Sequence, residues 1–188
     1  MKQQYWLVLL GVMIVSNLFA ADKMAEAKKT TLKPALILNH LKPIKLTEKS
    51  GDELYMDIGV YRAQKKGRFY RVPKFPGNWP SSHLDKIKKV TLWSEPVKEG
   101  ERVILIVSLL EQDMTPMNPD DLIGSMRVDL KNEKGVLNVQ WSIPNRTTGP
   151  VTILGEDGHI ERFELLSEKG EYQVYLSLKN NLTAKKKK

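Results

Sequence analysis

Residues 107–130 read VSLLEQDMTPMNPDDLIGSMRVDL. The apolar run VILIVSLL (103–110) stops at Glu111, and an alternating run, SMRVDL (125–130), resumes after Gly124. Between them stand the carboxylates Glu111, Asp113, Asp120 and Asp121, with Pro116, Asn118 and Pro119. Alternation of apolar and polar residues with period two marks a half-buried strand, and a Pro-, Asn- and Asp-rich break marks a turn. The stretch therefore reads strand, acidic loop, strand. That much negative charge on one loop of a net +8 chain has two readings: the loop holds a cation, or it is a solvated tip.

The same period runs outward in both directions. ALILNHLKPIKL (35–46) and ELYMDIGVYR (53–62) are strands, the second with Leu54, Met56, Ile58 and Val60 on one face. RFYRVP (68–73), IKKVTLW (87–93), RVILIVSLL (102–110), LIGSMRVDL (122–130), VLNVQWSI (136–143), PVTILG (150–155), HIERFELL (159–166) and EYQVYLSLK (171–179) follow. RVILIVSLL is nearly all apolar, which predicts a central strand covered on both faces. Turn signals separate the runs at Ser50-Gly51, Lys66-Gly67, Pro76-Gly77, Glu99-Gly100, Lys134-Gly135, Asp157-Gly158 and Lys169-Gly170. Only SSHLDKIKK (81–89) suggests a helical turn. Many short, evenly spaced strands predict an all-β antiparallel sandwich of about eight to ten strands.

The ends read differently. MKQQYWLVLLGVMIVSNLFAA (1–21) has a basic start, an apolar middle and small residues at Ala20 and Ala21, the pattern of a secretory signal peptide. The apolar part is shorter than the ~20 residues that span a bilayer, so no transmembrane segment is expected in the mature protein. Residues 22–35 are polar and expected to be flexible, residues 36–179 form the sandwich, and 180–188 are a Lys-rich tail expected to be disordered. Of the net +8, Lys2 contributes one, which leaves +7 for the mature chain. A basic exported chain points to an anionic membrane surface or a protein partner, with no nucleic acid. The chain has no Cys, so no disulfide supports the fold in an oxidising compartment and the apolar core must suffice.

In order and spacing these runs resemble a C2 domain, an eight-stranded antiparallel sandwich. KLTEKSGDELYMDI (45–58) is similar to that family's acidic loop running into a strand, residues 107–130 to its strand–acidic loop–Asp-x-Ile-Gly–strand segment, and GEYQVYLSLK (170–179) to its closing strand. Glu48 stands where the family prefers Asp, and the second loop is about two residues longer than the family pattern.

The resemblance implies that both loops lie at one end of the sandwich. It implies Ca²⁺ as a ligand, with Glu48, Asp52, Glu53, Glu111, Asp113, Asp120 and Asp121 as candidate donors. Glu48, Asp52, Asp113 and Asp121 are foremost among them, because Asp121 leads directly into a strand. Ca²⁺ takes six to eight oxygens, mostly carboxylate, and converging acids repel without a cation. The other reading stays open, with Asp120 or Asp121 serving only to cap a turn. The family docks its metal end on phospholipid, which makes Met114 and Met117 candidate membrane contacts. Trp79, in FPGNWPSSH (75–83), is a candidate partner contact or a cover on the core.

Catalysis is not expected. The chain has no Gly-x-Ser-x-Gly, no His-Glu-x-x-His and no phosphate loop, and His40, His83 and His159 lack metal spacing. The reading is a secreted or periplasmic, non-catalytic, calcium- and phospholipid-binding C2-like module. It suits a bacterial effector or virulence factor exported by type II secretion. The alternative is a periplasmic assembly protein using the sandwich as scaffold.

Overall fold

The computed structural model describes residues 30–113, 119–143, 146–147, 151–153 and 159–180. In chain order the strands are β1 (Thr31–Leu32), β2 (Pro34–Lys45), β3 (Glu53–Arg62), β4 (Arg68–Val72), β5 (Trp79–Pro80), β6 (Val90–Ser94), β7 (Val97–Lys98), β8 (Arg102–Glu111), β9 (Asp121–Glu133), β10 (Val136–Ile143), β11 (Arg146–Thr147), β12 (Val151–Ile153), β13 (His159–Leu166) and β14 (Glu171–Asn180). One 3-10 helix, Ser81–Lys86, follows β5. It is the helical turn expected from SSHLDKIKK.

Every strand pairing is antiparallel. The larger sheet runs β11-β10-β9-β8-β3-β4, with β12 on β10 and β5 on β3; the smaller runs β13-β14-β2-β6; β1 and β7 form a short ribbon. Period two explains how they stack. Leu54, Met56, Ile58 and Val60 of β3, Val103, Leu105, Val107 and Leu109 of β8, and Tyr172, Val174, Leu176 and Leu178 of β14 are all buried in one core. Trp141 of β10 and Phe163 of β13 bridge the two sheets, their rings 5.5 Å apart. The fold is an all-β antiparallel sandwich, as its alternation requires.

Two details differ from expectation. The outward residues Ile104 and Ile106 of β8 are half-buried, with no second layer over them among the described residues. Their apolar character reflects a central position between β3 and β9 rather than cover on both faces. The folded span also starts before residue 36. Thr31–Leu32 pairs with Val97–Lys98, and Leu32 is in the core. Asn180, assigned to the tail, is buried and pairs with Pro34. The leader 1–21 and residues 181–188 lie outside the described residues.

Two glycines are set by geometry. Lys134 and Gly135 both have positive φ (52° and 85°) in a two-residue hairpin, the arrangement of a type I′ turn. At Gly124 a Cβ would stand 3.0 Å from the Cβ of Leu165, so the small sheet approaches closely at the Asp-Leu-Ile-Gly segment.

The hairpin end is held by one buried amide. Asn132 Nδ2 donates to the carbonyls of Thr30 (3.1 Å) and Val97 (2.9 Å), and its Oδ1 accepts from Gly135 N–H (3.0 Å). Asn132→Ala removes all three bonds from a buried site. It is expected to cost about 2 kcal/mol in urea unfolding; a loss under about 0.5 kcal/mol would show that β1 and β7 need no such tie.

Candidate functional site

Four connections meet at one pole of the sandwich. They are residues 46–52 between β2 and β3, 73–78 between β4 and β5, the described residues 112–113 and 119–120 between β8 and β9, and 167–170 between β13 and β14. The pole is acidic, and its carboxylates fall into two groups according to what else binds them.

The first group is occupied by the protein. Asp52 is 1% exposed. Its carboxylate accepts the N–H groups of Thr47 and Glu48, both at 2.8 Å, and the hydroxyl of Tyr172. Burial first, then the bond to Asp52, pushes the Tyr172 hydroxyl pKa up. Asp120 accepts the Tyr55 hydroxyl at 2.6 Å and the Asp113 N–H at 3.1 Å. Asp121 takes Lys169 Nζ on both oxygens, at 2.8 and 2.6 Å. Glu53 is exposed and accepts from Asn78 Nδ2 at 2.9 Å.

The second group is the candidate site. Glu48, Glu111 and Asp113 each offer an oxygen, and these oxygens lie within 4.8 Å of one another. Glu111 is 2% exposed. Its Oε2 and Oδ2 of Asp113 are buried and accept no hydrogen bond. Strand period accounts for this. Glu111 continues the inward series Val103, Leu105, Val107, Leu109 of β8, so its side chain is aimed at the end of the core. Burial above all, then the charges of Asp113, Glu48 and Asp52, push its carboxyl pKa up to about 7, against a backbone hydrogen bond from Glu53.

The donors suit a hard divalent cation. Ca²⁺ binds oxygens at ~2.3–2.6 Å, so two ligands on opposite sides of the ion lie about 5 Å apart. The 4.8 Å spread fits that span. Three carboxylates supply at most six oxygens, the lower end of the calcium range. Of the residues named from sequence, the structure thus brings Glu48, Glu111 and Asp113 together; Glu111 and Asp113 each keep a buried oxygen without a donor, and the exposed Glu48 accepts the Ser50 hydroxyl at 3.0 Å. The structure places Asp52, Asp120 and Asp121 beside them with protein donors, and Glu53 outside.

Trp79 is half-buried, pairs with Leu54 and packs on the core. Met114 and Met117 lie outside the described residues. Phe75, in the same FPGNWPSSH stretch, is 74% exposed on the 73–78 loop; sequence reasoning passed over Leu122 and Leu166, 54% and 70% exposed, at the pole ends of β9 and β13. Arg71 holds that loop: its guanidinium lies 3.6 Å over the Tyr55 ring and donates to the Gly77 carbonyl and to Gln112. Among the described residues, no helix is long and apolar enough to cross a membrane.

No family model matches the chain, and no curated protein does. Among solved structures the chain is similar to a C2 domain, the one lettered A, of plant extended synaptotagmin 1. The identity is 10%, the match covers 79% of this chain and 93% of that one, and the TM-score is 0.42.

Proposed function

We propose that this chain is a secreted or periplasmic, non-catalytic binding module whose acidic pole takes Ca²⁺ and then meets an anionic membrane surface. One observation carries the reading: Glu111 and Asp113 each keep a buried carboxylate oxygen without a hydrogen-bond donor, and both, with Glu48, offer an oxygen to a cluster whose oxygens lie within 4.8 Å of one another. Buried polar atoms in native proteins have partners, and a divalent cation is the partner that three acids share. Glu48, Glu111 and Asp113 would hold it; the ion would supply positive charge that an anionic headgroup can approach.

The rim supports a membrane over an aqueous ligand. Phe75, Leu122 and Leu166 expose large apolar side chains around the pole, and exposed apolar groups that frame a polar centre mark an interaction surface. Residues 22–29 and 181–188 add seven lysines against Asp22 and Glu26, each lysine worth about 1 kcal/mol near an anionic leaflet.

Calcium at ten times its dissociation constant adds about 1.4 kcal/mol, which in a domain of this size raises the melting temperature by roughly 3–5 °C. Magnesium, smaller and bound to its own waters, is expected to do less. Asp113→Asn is expected to remove the calcium shift. Phe75→Ala is expected to keep the shift and weaken calcium-dependent sedimentation with phosphatidylserine vesicles. No shift in the wild type at ~5 mM Ca²⁺, above the range of weak extracellular sites, refutes the cation. A shift without sedimentation refutes the membrane and leaves a protein as the partner.

A further inference from the structure

The acidic pole already contains one cation, and it belongs to the chain. Lys169 sits in the turn between β13 and β14, with Nζ at 2.8 and 2.6 Å from the two oxygens of Asp121. The turn is built to stay there. Ser167 N–H donates to the Gly170 carbonyl (2.9 Å), and Ser167 Oγ accepts from Lys169 N–H (3.2 Å) and Gly170 N–H (3.0 Å). Lys45 Nζ donates to the Glu168 carbonyl at 3.1 Å. Gly170 is buried against the 46–52 loop, where a Cβ would stand 2.6 Å from Thr47 Oγ1. The turn is therefore pinned between the loop that carries Glu48 and the strand that starts at Asp121.

We infer that Lys169 is a built-in counter-ion that opposes divalent cation binding at the Glu48–Glu111–Asp113 centre and sets its affinity. The inference rests on the cation site proposed above, where Glu111, a member of the cluster, keeps a buried oxygen without a donor. Lys169 feels that cluster as well as its partner. Its ammonium pKa is raised, first by the hydrogen bond to Asp121 and then by the charges of Asp121, Asp113 and Glu111. A positive charge that the acids hold in place also repels an incoming ion of the same sign. The lysine is exposed, so the opposition acts through water and weakens with salt. Affinity is thereby held in a range where calcium concentration can switch occupancy, rather than leaving the site permanently filled.

The test is isothermal calorimetry with CaCl₂ on the full chain, in ~20 mM and then ~500 mM NaCl. Lys169→Gln is expected to tighten binding roughly five- to tenfold at low salt, the scale of a unit and a double charge several ångströms apart in water, and the gain is expected to shrink at high salt. Lys169→Arg keeps the charge and is expected to bind like wild type. Lys134→Gln removes the same charge at the far hairpin and is expected to change nothing. If wild type binds and Lys169→Gln binds equally or more weakly, the counter-ion role is overturned and the site stands. If Lys169→Arg tightens as much as Lys169→Gln, the effect belongs to the turn's shape, which also overturns the role. If no variant binds calcium, the site falls and the inference with it. If only Lys169→Gln binds, the inference stands and the wild-type site does not.

Discussion

Asp52→Ala is expected to cost about 4 kcal/mol of folding free energy, close to the whole margin of a typical domain at the low end of the 5–15 kcal/mol range. The side chain is 1% exposed and its two oxygens accept three protein donors: the N–H groups of Thr47 and Glu48, and the hydroxyl of Tyr172. Hydrogen bonds to a charged acceptor contribute about 1.5–3 kcal/mol each, without simple additivity. The alanine leaves the Tyr172 hydroxyl, on the inward face of β14, without an acceptor. The backbone of Asp52 also exchanges bonds with Ser81, N–H to Oγ at 2.9 Å and carbonyl from N–H at 2.8 Å. Asp52 thereby ties the 46–52 loop, the smaller sheet and the 3-10 helix into one unit.

The pattern across variants separates this tie from metal ligation. Asp52→Asn keeps one acceptor and is expected to lose about 2 kcal/mol; Tyr172→Phe removes one donor and is expected to lose about 1.5 kcal/mol. Their double mutant is expected to be less destabilised than the sum, because both remove the same bond. Urea unfolding without metal reads all four. A metal-free loss under about 1 kcal/mol for Asp52→Ala would mean that the loop holds itself, and that the carboxylate is free to serve a cation as its position in the sequence suggested. A loss of calcium response in Asp52→Ala, by contrast, follows from a displaced Glu48 loop and identifies no ligand.

How much of this was legible follows from where the information lies. Strand alternation is local, so Glu53–Arg62, Val136–Ile143 and His159–Leu166 match the runs read from sequence residue for residue. The meeting of two acidic loops was legible only through the resemblance to the C2 family, which implied that both lie at one end. The division of labour among the acids was not, because it depends on partners far along the chain: Tyr172 is 120 residues from Asp52, Tyr55 is 65 from Asp120, and Lys169 is 48 from Asp121. A short local signal did exist and went unused. Asp52 has the parity of Leu54, Met56, Ile58 and Val60, and Glu111 that of Val103 through Leu109. Both acids therefore continue an inward face where a strand meets a loop, Asp52 just before β3 and Glu111 at the end of β8, while Asp121 and Glu53 do not share that burial. Parity marks two of the carboxylates that must find a partner inside; Asp113, whose Oδ2 is also buried, lies past the end of β8, where strand parity no longer applies.

That inward position makes Glu111→Gln a stabilising substitution, which acid-to-amide changes at a satisfied site are not. Burial and the neighbouring charges of Asp113, Glu48 and Asp52 raise the folded-state pKa from 4.5 to about 7. A carboxyl with a raised folded pKa binds its proton more tightly in the folded than in the unfolded chain. Its contribution is fully present below pH about 4.5, and is lost as pH rises through about 7. At ~1.36 kcal/mol per unit the loss by pH 8 is at most roughly 3 kcal/mol. Without calcium, the wild type is therefore expected to melt progressively lower from pH 5 to pH 8, whereas Glu111→Gln, which cannot ionise, is expected to be flat across that window from this group. The variant is expected to be the more stable at pH 8 and about equal at pH 5. Calcium favours the ionised carboxylate, so in the wild type it is expected to restore the loss at pH 8 and to do little at pH 5, with about one proton released per Glu111 as the ion binds near pH 6. Melting curves at four pH values, with and without calcium, read both effects. A wild type whose stability rises between pH 5 and 8 in chelator, with Glu111→Gln tracking it, would mean that Glu111 ionises freely and that the pole is a solvated tip.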